Sequence, residues 1–404
     1  MIEPLKALRP AWLPAAILAA AALILSIGPG LPDSLVGLRT AGPYAALVSS
    51  VVLAWWFNRG RSFVLAASML LAFAAYSAYP TKLIYTAIAL LVPLNALLAM
   101  VRQEKGARYR MAYVWLALLG AEALVLYWLS GEMRALSLER ALESWPLRSP
   151  PTPFLARLLF AAGFAAAVWR AWPDHTPLQI GNAGALAAFF IAAEWVDTPR
   201  VYASFMAAGG VILVVSLLQE SHHLAFRDQL TGLPGRRALE ERLRSLGERY
   251  AIAMVDVDHF KSFNDTHGHD IGDQVLRLVA GRLAQVGGGG TAYRYGGEEF
   301  SVVFPGRDAD EAAPDLEKIR VAIERYRMAV RGENRPKKAK EGAKRRGADV
   351  AGRGAGAPEK QLSVTVSIGV AGPSDGARTP LQVVKAADEA LYRAKKGGRN
   401  RLSR

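Results

Sequence analysis

Eight predominantly apolar runs of about 16 to 20 residues follow one another through the first half of the chain, near the length a helix needs to cross a hydrocarbon layer at about 1.5 Å per residue. They fall near Trp12 to Leu31, Ala41 to Phe57, Ser62 to Tyr79, Leu83 to Met100, Met111 to Leu129, Pro153 to Trp172, Ile180 to Trp195 and Val201 to Leu218. None offers a polar face, so a buried core of a soluble protein does not account for eight in succession. Trp12, Trp56, Trp128, Trp172 and Trp195 stand near run ends, where an amphipathic ring suits the headgroup layer. The expectation is an all-α membrane domain of about eight spans over residues 1–218.

Lysine and arginine set its orientation. With the N-terminus inside, the inner loops hold Lys6, Arg9, Arg59, Arg61, Arg102, Lys105, Arg108, Arg110 and Arg170. The outer loops hold Arg39, Lys82, Arg134, Arg140, Arg148 and Arg200, half of them in one long loop where the charge rule is weak. Positive-inside then leaves the second half of the chain in the cytoplasm. No convincing small-residue cleavage site follows the first run, which reads as a retained span. Glu122, Arg157 and Glu194 are the costly residues within the spans and by default a site; snorkelling to the outer surface is the alternative for the last two. Pro93 with Asn95 marks an expected kink.

The chain carries a formal charge of +14, of which +5 lies in residues 1–220 and +9 beyond, and +6 of the latter comes from Arg331 to Lys360 alone. That stretch, rich in Lys, Arg, Gly and Ala, reads as a basic low-complexity insertion at 331–361 rather than a lipid or nucleic-acid tether. The absence of cysteine excludes thiolate zinc sites, iron–sulfur ligation and a cysteine nucleophile.

After a juxtamembrane helical linker at 219–228, the remaining residues, 229–404, alternate helices and strands. Arg237 to Leu246 predicts a helix after the turn Gly232 to Gly235. Tyr250 to Val255 predicts a buried strand ending at Asp256, and Ile271 to Val286 a helix with Val275, Val279 and Leu283 on one face. Thr291 to Tyr295 and Phe300 to Phe304 flank Gly296-Gly297, a hairpin in which glycine would supply positive φ. Leu362, Val364, Val366, Ile368 and Val370 alternate with polar or small residues, predicting one half-buried strand, and Thr379-Pro380 opens a last helix that stops at Gly397-Gly398. Asp256 at a strand end and Glu298-Glu299 after the glycine turn converge if their strands are neighbours. Oxygen ligands so arranged suit Mg²⁺, which takes one or two carboxylates and keeps room for phosphates.

Six ordered blocks carry a resemblance. Arg227-Asp228-Gln229-Leu230-Thr231-Gly232-Leu233, Asp256 to Lys261 with Asn264-Asp265, Gly268 to Asp273, Arg294 to Phe300, Val366 to Val370 and Ala387-Asp388 through Asn400 resemble the GGDEF-domain diguanylate cyclases, here with the sequence GGEEF. The resemblance covers roughly His222 to Arg404 and does not reach the apolar half. It implies an α/β ferredoxin-like domain, similar to the palm of nucleotide cyclases and polymerases, that condenses two GTP into cyclic di-GMP and two pyrophosphates as a homodimer. By residue-wise carry-over, Asp256, the Val257 carbonyl and Glu298 would hold Mg²⁺ (or Mn²⁺), and Glu299 would help deprotonate the attacking hydroxyl. Phe260, Lys261, Lys395 and Arg399 would face phosphate, Asn264 and Asp273 would read guanine, and Gly296 and Gly297 would form the turn. Gly287 and Gly290 stand where many members carry the Arg and Asp of an inhibitory product site, so none is expected. Gly235 replaces a usual Asn in a turn.

Together these readings imply a multi-pass protein of the bacterial inner membrane, with its catalytic domain in the cytoplasm, an unknown signal ligand and no specific nucleic-acid partner. A silent GGDEF module that binds GTP or cyclic di-GMP for regulation is the alternative; loss of metal or turn residues would favour it, and none is lost. A transporter with a regulatory domain would need paired broken helices or repeats, which are not evident. His259, His267 and His269 lie close in sequence, yet fall at positions the family uses structurally rather than for zinc, and His222-His223 reads as solvated linker.

Overall fold

A computed structural model of the chain describes residues 11–27, 36–104, 106–108, 110–131, 142–148, 151–174, 176–330, 360–374 and 378–404. Most of the insertion expected at 331–361, and Lys6, Arg9, Lys105, Arg134 and Arg140 among the loop charges, lie outside these residues. The chain divides into two compact units, Met1–His222 and His223–Arg404.

The first unit contains the helices α1 (Trp12–Ile27), α2 (Val36–Trp56), α3 (Gly60–Ala78), α4 (Lys82–Val101), α5 (Arg110–Leu129), α6 (Phe154–Asp174), α7 (Pro177–Glu194) and α8 (Pro199–Phe226), the last running on past its boundary. They coincide with the eight apolar runs, but the expectation of eight spans narrows. Among the described residues, four helices, Gly60–Ala78, Lys82–Val101, Phe154–Trp172 and Pro199–Phe226, are long and apolar enough to cross a membrane, and the stretches Trp12–Ser26 and Tyr113–Leu129 are apolar over fewer such residues. Gly42 and Pro43 dilute the apolar character of α2, and Gln179 and Asn182 that of α7. Helix α4 continues through Pro93.

Small residues bring these helices close. A Cβ at Gly210 would lie 2.8 Å from the Ala46 carbonyl carbon and 2.9 Å from the Leu47 nitrogen, so α8 meets α2 backbone to backbone. Leu65, Met69, Ile84, Leu186, Met206 and Leu213 fill the centre with no exposed surface. Of the three costly residues, Arg157 and Glu194 neutralise each other through two parallel hydrogen bonds, Nε to Oε1 at 3.0 Å and Nη2 to Oε2 at 2.9 Å. Glu122 is buried and accepts from Asn95 Nδ2 at 2.9 Å.

In the second unit, α9 (Arg236–Arg244) precedes β1 (Tyr250–Val257), α10 (Phe260–His267), α11 (His269–Leu283), β2 (Thr291–Arg294), β3 (Glu299–Pro305) and α12 (Ala309–Glu324). Strands β4 (Met328–Val330) and β5 (Lys360–Leu362) pair with each other, followed by β6 (Val366–Ala371), α13 (Pro380–Lys396) and β7 (Leu402–Ser403). The main sheet runs β2-β3-β1-β6-β7, antiparallel except at β7. Its first four strands with α11 and α12 form the βαββαβ arrangement of the ferredoxin-like fold.

Both faces of the sheet are covered, and β1 shows why in its sequence. Ala251, Ala253, Val255 and Val257 point to the α11 and α12 side with Val275, Val279, Leu316 and Ile323. Tyr250 and Ile252 point the other way, to Leu239 and Leu243 of α9 and Val383 of α13, and Met254 to Ala387 and Leu391 of α13. A strand buried on both faces reads as a continuous apolar run rather than an alternation.

The strand expected from Leu362 to Val370 differs on two counts. It divides, with Leu362 in β5 and Val366 to Val370 in β6, and β6 is buried on both faces rather than half-buried. Its polar and small residues face inward for reasons of their own: Ser367 donates to a buried carboxylate, and Gly369 lets α13 lie directly on the strand.

Candidate active site

Pairing of β1 with β3 sets Asp256 opposite Glu299, and the Val257 N–H reaches the Glu298 carbonyl at 3.4 Å, so the expected convergence of acids is met. Asp256 is 5% exposed, and its Oδ2 lies 2.9 Å from Lys395 Nζ near the end of α13. Burial pushes the Asp256 carboxyl above the ordinary carboxylate range; Lys395 and Arg399 pull it down, and the neighbouring Asp258 pushes it up. Burial, and then the Asp256 charge, also raise Glu298.

Two acids that resist ionising side by side make an oxygen donor set. Such a set fits a hard divalent ion, which would supply the positive charge that one lysine does not. Asp256 and Glu298 are the side chains here that could take part in holding such an ion, and among the described residues no group of three or more His, Asp or Glu side chains forms a metal cluster. Lys395, expected on phosphate, binds Asp256 here.

The glycine turn is built differently from the expectation. Neither Gly296 nor Gly297 has positive φ. The bend is held from outside by Arg294, which donates from Nε to the Gly296 carbonyl at 3.2 Å and from Nη2 to the Gly297 carbonyl at 2.7 Å. Its Nη1 reaches Asp228 Oδ1 at 2.7 Å, and the same oxygen accepts from the Thr231 N–H and hydroxyl. Glycine serves here by leaving room: a Cβ at Gly296 would lie 3.0 Å from Glu299 Oε2.

Asp228 therefore stabilises the turn at a distance. Burial alone would raise its pKa, but the hydrogen bonds from Thr231 and Arg294 outweigh burial and hold it below the usual range. A depressed carboxylate contributes stability that is present above the unfolded pKa and is lost as pH falls through the folded value. Asp228→Asn should melt lower than wild type at neutral pH. The difference should persist into mild acid and close only below the ordinary carboxylate range, near pH 4. Thermal unfolding across pH checks this; a gap that closes by mild acid would contradict it.

A second carboxylate works similarly. Asp258 is buried and accepts from Thr365 Oγ1 at 2.7 Å, Ser367 Oγ at 2.6 Å and the Asn400 N–H at 3.0 Å. It ties the end of β1 to β6 and to the segment after α13. Asn400 and Arg399 both have positive φ, and Asn400 is locked further by Glu324 and Arg320. Asp228, Arg294, Asp258 and Asn400 all stood within the motif blocks, but nothing in their spacing assigned them these positioning roles.

His259 takes a left-handed conformation and turns the chain from β1 into α10, so that Phe260 and Lys261 open that helix with unpaired N–H groups facing outward from its first turn. Phe260 is buried and Lys261 exposed. Asn264 on α10 lies over Gly272 on α11: a Cβ at Gly272 would come within 1.8 Å of Asn264 Oδ1. That oxygen is buried and has no partner. Asp273, half-buried, follows Gly272 in the first turns of α11. An orphaned acceptor next to a carboxylate calls for a group that presents several N–H donors.

Gly287 and Gly290 leave no side chain for an anion or base edge, and Gly290 is closed to replacement. A Cβ there would lie 2.6 Å from the Phe304 ring, while one at Gly287 would lie 3.1 Å from Asp315 Oδ1.

Residues 225–343 and 338–401 match the family model described as Diguanylate cyclase, GGDEF domain. The response regulator PleD of Caulobacter vibrioides is 41% identical over 191 residues, 45% of this chain and 37% of that protein. Diguanylate cyclase VdcA of Vibrio cholerae is 35% identical over 182 residues, 44% of this chain and 46% of that protein. The chain thus spans less than half the length of these two curated relatives. Among solved structures, the GGDEF domain of DgcB from Caulobacter crescentus in complex with c-di-GMP is 34% identical, covers 44% of this chain and 92% of its own, and has a TM-score of 0.36.

Proposed function

We propose that this chain, whose second unit matches the GGDEF family, is a membrane-bound diguanylate cyclase that condenses two GTP into cyclic di-GMP and two pyrophosphates. The observation that carries the reading is the meeting of Asp256, Glu298 and Glu299 at the adjoining ends of β1 and β3, beside Lys395. In the reaction the ribose 3′-oxygen of one GTP attacks the α-phosphorus of the other, pyrophosphate leaves in line, and negative charge accumulates between them.

Each group of the chain has a task in this. Asp256, the Val257 carbonyl and Glu298 hold Mg²⁺ or Mn²⁺, which when bound neutralises charge on the triphosphate. Lys395 is displaced from Asp256 toward phosphate oxygens, joined by Arg399 and Lys261 and by the open N–H groups at the start of α10. Glu299 takes the proton of the attacking hydroxyl. Asn264 Oδ1 and Asp273 accept from the guanine N1–H and N2–H₂. One site holds one GTP, so product formation needs two copies of the chain face to face, with the apolar unit spanning the inner membrane through at least its four long apolar helices and responding to a signal.

The test is turnover of GTP by the full chain purified in detergent, with and without Mg²⁺. Cyclic di-GMP that appears only with Mg²⁺, at a specific activity falling on dilution, is the expected result; absence of turnover in concentrated protein with Mg²⁺ or Mn²⁺ would favour the silent module.

Selectivity follows from the base edge. Adenine has an acceptor at N1 and no N2 amine, so Asp273 and Asn264 would each face the wrong partner at about 1–3 kcal/mol apiece. GTP should be preferred over ATP by about thirty-fold or more, and Asp273→Ala should erode that ratio. Competition with mixed nucleotides reads it directly, and cyclic GMP-AMP as a major product would contradict it. With no side chain at Gly287 or Gly290, initial rates should also stay constant as micromolar cyclic di-GMP is added. Strong inhibition would point to another product site.

A further inference from the structure

The first unit contains a small polar cavity of about 160 Å³ where the start of α3, the end of α4, the last turns of α6, the start of α7 and the end of α8 meet. Three guanidinium groups line it, Arg59, Arg61 and Arg170, against two carboxylates, Glu104 and Glu220. Arg59 pairs with Glu220 at 3.5 Å and Arg61 Nε with Glu104 at 3.2 Å. Arg170 donates to the Met100 and Val101 carbonyls at 3.0 and 2.9 Å and pairs with no carboxylate among the described residues. The lining therefore holds one positive charge more than it balances.

Its unmet hydrogen bonds are equally specific. Glu220 is 7% exposed, yet its Oε2 is buried without a donor. Gln179 Oε1 is buried without a donor as well. Arg61, 8% exposed, has an Nε–H that its ion pair with Glu104 does not align as a hydrogen bond. Buried polar atoms are costly when unpaired, so these three describe their occupant. It must accept from a guanidinium, donate to a carboxylate and an amide oxygen, carry a negative charge, and fit a space of several water volumes.

We propose that this cavity binds a small oxyanion that keeps protons of its own, namely dihydrogenphosphate. The unprotonated oxygens face Arg61 and Arg170, one O–H donates to Glu220 Oε2 and the other to Gln179 Oε1. A fully deprotonated oxyanion of the same shape would set a lone pair against that carboxylate and be refused. Glu220 lies on α8, the helix that runs from Pro199 to Phe226, so occupancy bears on the helix leaving this unit.

The test uses the full chain in detergent and reads binding by calorimetry and thermal unfolding, independently of any turnover. At mildly acidic pH, where inorganic phosphate is in its dihydrogen form, it is titrated in one arm and sulfate, which carries no proton there, in another. A short-chain phosphatidic acid arm separates a lipid headgroup from a free ion. Wild type should prefer a protonated oxyanion over sulfate by about tenfold or more, the factor that about 1.4 kcal/mol supplies. Glu220→Gln, which exchanges a pure acceptor for an amide able to donate, should admit sulfate and abolish the preference; Gln179→Leu, a milder change, should weaken binding several-fold while keeping it. Three results would overturn the proposal: no anion binding, which leaves a water-filled cavity; equal binding of sulfate by wild type; or an unchanged preference in Glu220→Gln.

Discussion

Asp256→Asn and Glu298→Gln are each expected to lower GTP turnover by about a thousand-fold or more while leaving the fold intact. A single preorganised electrostatic contact at a reacting centre is worth about 10² to 10³ in rate, and a metal ligand adds the loss of ion occupancy. The folding half of the expectation comes from the direction of the Asp256 shift. Its pKa is raised, so the folded state favours the neutral form, and the stability this gives is lost as pH rises through the folded value. Asn, which keeps the shape without the charge, carries no such loss at any pH. Lys395, left without its partner, is a third exposed and can turn to water. Asp256→Asn without added metal should therefore melt no lower than wild type, and Mg²⁺ should raise the melting temperature of wild type alone. Near-wild-type turnover by either variant would remove these residues from the site, and a large drop in melting temperature would make Asp256 a structural group instead.

Gly369→Val is expected to be the most destructive substitution in the second unit. A Cβ at Gly369 would lie 2.1 Å from the Leu391 nitrogen, 2.2 Å from the Ala387 carbonyl oxygen and 2.7 Å from the Ala390 carbonyl carbon. All three are backbone atoms of α13, so no rotamer change relieves the clash and the whole helix must lift from β6. Overpacking a core typically costs about 1–3 kcal/mol when side chains can shift; here about 3 kcal/mol is a lower bound, against a stability of about 5–15 for a domain. Because α13 delivers Lys395 to Asp256, turnover should fail together with stability, measured as loss of the cooperative unfolding transition and of GTP conversion. Gly281, where a Cβ meets nothing within 4 Å, serves as the matched control and should accept Ala freely.

These two positions show what the sequence makes legible. The acids were readable because a strand end and a glycine turn are local signals, and their meeting follows once β1 and β3 are neighbours. Most helix positions are readable from apolar period and run length, within a few residues at their ends, but α12 over Ala309–Glu324 has no counterpart in the sequence reading. Gly369 was visible only as one small residue in an alternating strand, since what it touches lies on a helix about twenty residues downstream. The same limit hid Asp258 and Arg294: a carboxylate that gathers Thr365, Ser367 and Asn400, and a guanidinium that clasps two glycine carbonyls, are defined by partners far apart in the chain. Dihedral freedom is what the glycine pair suggests locally, whereas the structure uses Gly296 and Gly297 without positive φ under an arginine clasp. Span number is not legible in the sequence, because hydropathy measures suitability for lipid and not the packing that decides which apolar helices meet it.

The small ladder of β4 and β5 pairs Val330 directly with Lys360. The chain therefore departs and re-enters at one point, and whatever residues 331–359 do, the sheet is indifferent to how far they travel. Closing a longer excursion costs only about 0.6 kcal/mol for each doubling of its length. That makes this junction a natural port for cargo: a fluorescent protein, an affinity handle or a graft from a relative can be spliced between Val330 and Lys360, and excision to a short turn is equally open. Lineages would be free to lengthen, shorten or recharge this segment without renegotiating the architecture on either side of it.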